Sequence, residues 1–249
     1  MIGLEYFMSI KRPQLVNNEI YHIVTRAIEE LKLFLGQKDY LRMIHDLFEF
    51  NDENPVISTY RKPRRINGTR TVLVPLKVKK KRKMLVEILA FCLMPNHVHL
   101  LVRQLREGGI SKFMRKIGAG YVNYYNQKYK RGGHLFRGRY RIIHIKTQEQ
   151  LKTIFVYIHT NPVAIMIPSW KENGISGQKL QEVLKFLENY RWSSYPDYLG
   201  KKNFPSLTSR DFLIKIMGSV KDCQEFVKGW LQFKKEIKET ATLKEIKID

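Results

Sequence analysis

Two histidines one residue apart, His97 and His99, sit inside the apolar, β-prone run Phe91-Cys-Leu-Met-Pro-Asn-His-Val-His-Leu-Leu-Val102. Side chains alternate along a strand, so both imidazoles face one way while Val98, Leu100 and Val102 face the other. Two imidazoles on one face of a rigid strand can close on a single divalent ion. The plain alternative is a pair of half-exposed histidines on a sheet, and the spacing alone leaves both open. Further along, Tyr157 and Asn161 stand four apart on a helix candidate, one above the other and to one side of its apolar stripe. A carboxamide oxygen can ligate a metal, and a tyrosine hydroxyl can act as a nucleophile if a metal or base assists it. On these grounds Tyr157 stands only slightly apart from the other twelve of the 13 tyrosines.

The elements that must position these residues can be read in chain order. Glu19-Ile-Tyr-His-Ile-Val-Thr25 alternates and is rich in β-branched and aromatic residues, which predicts a first strand. Leu41, Ile44, Leu47 and Phe48 then recur at helical spacing between Lys38 and Phe50. Leu85 to Leu93 is a mostly apolar strand candidate, and Met94-Pro95-Asn96 turns it directly into the His-Val-His strand, so the two should pair antiparallel. A helix is expected from Ile110 to about Lys130, broken or loosened by Gly118 and Gly120. Its tyrosines Tyr121, Tyr124, Tyr125 and Tyr129 would suit base stacking, although aromatics at this spacing also build cores. Leu135 to Ile145 reads as a strand that places Arg137, Arg139 and Arg141 on one face as phosphate contacts, with Gly138 allowing close approach of a backbone. Thr147-Gln-Glu-Gln150 is a capping box, so a helix should start near Gln148, bury Leu151, Ile154, Phe155 and Ile158, and end at Pro162.

Composition narrows the partners. The 249 residues, 43% hydrophobic and 12% aromatic, suffice for one good-sized core or two small domains. Lys+Arg 45 against Asp+Glu 23 gives a formal charge of +22, which points to a polyanion and most simply to nucleic acid. A ribosomal or merely solubilising surface, or an anionic membrane, would carry the same charge. No apolar run approaches the roughly 18 to 20 residues that span a bilayer, and the first residues lack the pattern of a secretory signal. The expectation is a soluble, cytoplasmic protein without a membrane partner. Cys92 and Cys223 are too few and too far apart for a disulfide framework or a zinc knuckle. Residues 61–83 concentrate charge, ending in Lys79, Lys80, Lys81, Arg82 and Lys83. Asn67-Gly68 is a hairpin-turn signal, so the segment reads either as a protruding basic ribbon or as a solvated basic loop.

Four separated motifs now stand in order: Met94-Pro-Asn-His97-Val-His99-Leu-Leu-Val, Arg131-x-Gly133-His-Leu-Phe-Arg-Gly-Arg139-Tyr, Tyr157-Ile-His-Thr-Asn161-Pro-Val163 and Trp192-Ser-Ser-Tyr195. Over roughly residues 10 to 200 the chain resembles the single-tyrosine transposases of the HUH superfamily, most closely the REP-associated and IS200-like members. The resemblance implies an α/β (α+β) fold: a ferredoxin-like antiparallel sheet with flanking helices, here followed by a short helical C-terminal tail. It implies that His97, His99 and Asn161 hold a divalent metal, and that Tyr157 attacks a DNA phosphate to leave a 5′-phosphotyrosine link and a free 3′-hydroxyl. Two neutral imidazoles and an amide would leave the ion its full charge and open positions, as Mg²⁺ or Mn²⁺ would need. The expected partner is single-stranded or hairpin DNA, contacted by Arg131, Arg137, Arg139, Arg141, Lys79, Lys80, Lys81 and Arg82, with a homodimer left open. A catalytic domain over 1–200 would carry inserts at 61–83 and 164–190 that do not touch a proposed ligand, and 201–249 would form the tail, charged and frayed from Lys238. Two alternatives stand beside the transposase: a DNA-binding protein on this fold that does not cut, and a metal-dependent nuclease that uses water.

Overall fold

A computed structural model describes residues 12–29, 31–55 and 82–237 of the chain. The expected basic ribbon, with Lys79, Lys80 and Lys81, and the charged end from Lys238 lie outside the described residues. Four strands, β1 (Ile20–Arg26), β2 (Val86–Met94), β3 (His97–Gln104) and β4 (Arg141–Ile145), form one sheet in the order β2-β3-β1-β4. All three pairings are antiparallel. With α1 (Gln37–Glu49) between β1 and β2 and α2 (Gly109–Lys128) between β3 and β4, this is the ferredoxin-like arrangement.

The sheet separates two cores. Val98, Leu100 and Val102 of β3 and Tyr21 and Ile23 of β1 face α1 and α2. Leu101 of β3 faces α3 (Gln148–Thr160), whose Leu151, Ile154, Phe155 and Ile158 are all buried. Each such side chain removed from water contributes about 1.5–3 kcal/mol, which fixes the rotation of α3 against the sheet. Because both faces of β2 are covered, its apolar run is nearly continuous. A bulge between Ile88 and Ala90 shifts its register against β3, after which Cys92 pairs with His99 and Met94 with His97.

Two local expectations fail for steric reasons. Helix α2 runs unbroken through Gly118 and Gly120. A Cβ on Gly120 would stand 2.2 Å from the Phe50 ring, so this glycine admits the end of α1 rather than loosening α2. Strand β4 is shorter than expected, since only Phe136 bridges to Ala27 before the chain turns at Gly138 with φ 64°. Among the described residues no backbone comes near Gly138, so its contribution is the left-handed turn and not close approach. The three arginines therefore do not form a row: Arg137 and Arg139 lie in the turn, and only Arg141 is on the strand.

Beyond α3 the chain adds α4 (Val163–Met166), α5 (Trp170–Asn173), α6 (Gly177–Asn189), α7 (Tyr195–Tyr198), α8 (Asp211–Met217) and α9 (Val220–Ile237). Leu180 and Val183 of α6, Leu213 of α8 and Val227 and Leu231 of α9 share one core with α3. The four-residue helix α5 is too short to persist alone. Trp170 is buried, the Ile175 amide donates to the Leu231 carbonyl at 2.9 Å, and a Cβ on Gly174 would meet the Gln232 carbonyl at 2.8 Å. Helix α9 thus holds α5 in place.

Candidate active site

His97 and His99 share the α3 face of the sheet, as the period of two requires, with ring centroids 4.8 Å apart. Tyr157, buried on α3, stands edge-on to His99 at 5.5 Å. Behind His99 lies a third imidazole, because β1 alternates in the same sense and puts His22 beside it: His22 Nε2 is 3.0 Å from His99 Nδ1, the rings stacked at 5.3 Å. One of these nitrogens carries the proton that the other accepts. His97 Nδ1 pairs with Asn96 Oδ1 at 2.7 Å. The nitrogen left on each ring is its Nε2, and that of His99 is buried without a hydrogen-bond partner among the described residues.

Electrostatics keep these rings neutral. Burial, followed by the charges of Arg26 and Lys171, pushes the His97 imidazole down to about 4. Burial first, then the neighbouring histidines and the same two cations, holds His99 well below the ordinary histidine range. His22 is pushed by burial to about 3. A neutral imidazole has a lone pair to offer a cation, and a partner on its second nitrogen fixes its orientation. Asn161 caps the end of α3, its Nδ2 donating to the Tyr157 carbonyl at 3.0 Å, so the carboxamide oxygen is the group left for a ligand. The donor set of two neutral imidazoles and one amide fits a divalent ion. Among the described residues no group of three or more His, Cys, Asp or Glu side chains could hold a metal, so any site here depends on the amide.

Residues 56–161 match the family model described as IS200-like transposase, a segment that ends at Asn161. Over that segment the chain is similar to the IS200-like transposases. No curated protein matches it. Among solved structures it is similar to a REP-associated tyrosine transposase bound to a REP hairpin, at 13% identity and a TM-score of 0.51, over 82% of this chain and 93% of that one. At that identity the likeness establishes the shared fold.

The fold brings to the site three residues that the sequence motifs do not include. His22 lies in the predicted first strand and Arg26 just past its end, and the parity of His22 with Val24 was legible, but the pairing of Val24 with His99 and Arg26 with His97 was not. Lys171 comes from the 164–190 insert, with its Nζ 5.6 Å from the Tyr157 ring centre. That insert was expected to leave the proposed ligands untouched, yet the charge of Lys171 bears on both His97 and His99. Within the other motifs, His159 Nε2 meets Ser194 Oγ at 2.8 Å, and Ser194 Oγ accepts from the Phe91 amide at 3.0 Å. The Trp192 carbonyl accepts from the Leu93 amide at 2.8 Å. Trp-Ser-Ser-Tyr therefore covers the exposed edge of β2 and ties it to α3.

The expected DNA contacts are scattered. Arg131 donates to the His134 carbonyl at 2.8 Å and to Asn126 Oδ1 at 3.3 Å, bracing the loop after α2. Arg82 lies over the Phe48 ring at 3.9 Å and donates to the Phe48 carbonyl at the end of α1. Arg137, Arg139 and Arg141 are exposed. The three tyrosines of α2 and Tyr129 at its end resolve toward structure: Tyr121 donates to the Leu33 carbonyl, Tyr125 to that of Lys32, and Tyr124 and Tyr129 to the Asp39 carboxylate. Among the described residues no helix is long and apolar enough to cross a membrane.

Proposed function

We propose that this transposase cuts single-stranded DNA beside a hairpin through covalent attack by Tyr157, with His97, His99 and Asn161 as ligands of Mg²⁺ or Mn²⁺. The observation that carries the reading is the convergence on one buried face of Tyr157 and two neutral imidazoles, one with an unpartnered Nε2. The hairpin bound to the REP-associated transposase supports DNA as the partner.

The Tyr157 oxygen forms a bond to phosphorus and the bond from phosphorus to the 3′-oxygen breaks. The phenol gives up its proton and the departing 3′-oxygen takes one. One phosphodiester replaces another, so a 3′-hydroxyl from a second strand can reverse the step and complete strand transfer. The bound ion would supply Lewis-acid neutralisation of the phosphate charge. Packing of α3 fixes the direction of the phenol, which would make attack on a bound phosphate nearly unimolecular. Lys171 places a cation at the Tyr157 ring, favouring phenolate over phenol as the proton leaves. Arg26, opposite His97 on β1, adds positive charge where the phosphate would sit.

Tyr157→Phe keeps the ring and removes the nucleophile. Incubated with a 3′-labelled hairpin oligonucleotide and Mn²⁺, then denatured, the parent and a Tyr125→Phe control should retain label on the protein and Tyr157→Phe none. Label on the Tyr157→Phe protein would overturn the assignment. Cutting by the parent without any adduct would favour the water-using nuclease instead.

A further inference from the structure

On the opposite face of the sheet from the histidines, a groove of about 640 Å³ opens between the first half of α2 and the turn that precedes β4. Thr25 lines it, and Arg26, the next residue on β1, pairs with His97. The groove and the histidine site therefore lie on opposite faces at the same end of the sheet. Arg12, Lys112, Arg115 and Arg139 all line the groove, and among the described residues no acidic one does. Among the described residues none of the four forms an ion pair with a carboxylate. The contrast with the cleft of about 540 Å³ between α3 and α9 is informative, because there Lys152 is accompanied by Asp222 and Glu225. Four like charges gathered on one concave surface repel one another unless an anion joins them.

The walls supply a second kind of contact. Phe136 and Tyr140 line the same groove. Arg12 is stacked 4.1 Å from the Tyr140 ring centre, which presents a flat cation where a base could lie. The Tyr140 hydroxyl is shielded from solvent yet has no hydrogen-bond partner among the described residues. A buried hydroxyl left unpaired costs about 1–3 kcal/mol, and a ligand with a polar edge would remove that cost. Helix α2 begins at Gly108 on this surface with no acid in its first turn, so its positive end adds to the four cations.

We propose that this groove binds an unpaired stretch of DNA, with phosphates on Lys112, Arg115 and Arg139 and a base against Arg12 and Tyr140. The proposal rests on the reading of the protein as a DNA-cutting transposase, and adds to it a contact surface behind the sheet. It assigns Arg139 a phosphate through this groove and not through a row of strand arginines.

The test uses full-length Tyr157→Phe protein, so that cleavage does not intrude, and fluorescence anisotropy with labelled oligo-dT, an abasic oligonucleotide of equal length, and a blunt DNA duplex. Lys112→Ala with Arg115→Ala should weaken oligo-dT binding about tenfold or more and lower its salt slope by about 0.7 for each phosphate lost. Tyr140→Leu should weaken oligo-dT about fivefold or more and leave abasic binding unchanged. The duplex should respond least to all three changes. Unaltered oligo-dT affinity and salt slope in the double variant, with thermal stability retained, would overturn the proposal. Equal losses for duplex and oligo-dT would overturn the unpaired-strand assignment, and parent affinity for the abasic strand equal to that for oligo-dT would overturn the stacked base. If Tyr157 forms no adduct but the groove variants lose oligo-dT, the cutting reading fails and the groove stands. An adduct together with a silent groove gives the reverse.

Discussion

Two buried polar clusters flank the sheet, and they are finished to different degrees. On the α1/α2 side Asp39 has no exposure to solvent, and its carboxylate receives the Leu35 and Gly36 amides, both at 2.9 Å, the Tyr124 and Tyr129 hydroxyls at 2.9 and 2.7 Å, and the Lys128 ammonium. Burial alone would raise that carboxyl, but its donors, led by Lys128, draw it below the usual carboxylate range. On the α3 side the His22 and His99 rings satisfy one another through a single contact and leave His22 Nδ1 and His99 Nε2 without partners among the described residues. A polar group that serves the fold has its hydrogen bonds made, whereas one kept for a ligand retains an open valence at a cost in stability. Both clusters draw on aromatic and charged residues, so composition does not distinguish them. Completeness does.

Substitution should separate the two sharply. His97→Ala should abolish adduct formation and weaken Mn²⁺ binding, measured by calorimetry, while changing unfolding free energy by less than about 1 kcal/mol. Asp39→Ala should do the converse, removing about 3 kcal/mol or more of stability because it strands the Lys128 charge and two hydroxyls. Comparable stability losses in both variants would erase the distinction.

Acid should act through the unfinished side. His22, His97 and His159 are held at about 3, 4 and 3, below the value near 6.5 of an unfolded chain. Between these limits the unfolded state binds protons that the folded state does not, so stability is full above about pH 6.5 and declines as pH falls toward 4. Each group can contribute up to about 1.4 kcal/mol per pH unit. Urea midpoints at pH 7, 6 and 5 should fall in that order, and His97→Ala should shallow the decline. Asp39, depressed in the folded state, adds its loss only below that window.

Smaller changes sharpen the contrast. Gly120→Ala on the finished side would force a Cβ against Phe50 and should cost about 1–3 kcal/mol of stability with normal activity per folded molecule. Lys171→Ala on the other side should slow adduct formation about tenfold and shift its pH profile upward, with DNA affinity and thermal midpoint little changed, and Lys171→Arg should recover most of the rate.

The sequence was most informative where a local rule acts alone. The alternation of His97 and His99, the Thr147 cap on α3, which accepts from the Gln150 amide at 3.2 Å, and the β2–β3 turn all follow from neighbouring residues. Periodicity supplied the strand candidates, whereas their ferredoxin-like arrangement came from the motif resemblance. What local rules could not show is which strand lies beside which and what the inserts reach. His22 acquires its place from register with a strand almost eighty positions later, and Lys171 from a fold-back over α3. The glycines of α2 were misread because Gly120 answers to Phe50 on another helix. The arginines of 137–141 were misread because one left-handed turn at Gly138 interrupts the alternation.

The clasp between α5 and α9 has a consequence in time. During synthesis the histidines, Tyr157 and Asn161 all leave the ribosome before the residues that hold Lys171 in place. The helix bearing Lys171 is one turn long, and its anchor is the Leu231 carbonyl sixty residues later. A nascent chain thus carries the proposed ligands and nucleophile early but lacks the wall over Tyr157 until α9 has been made and docked. The order of translation therefore delays assembly of that wall until α9 has emerged and docked.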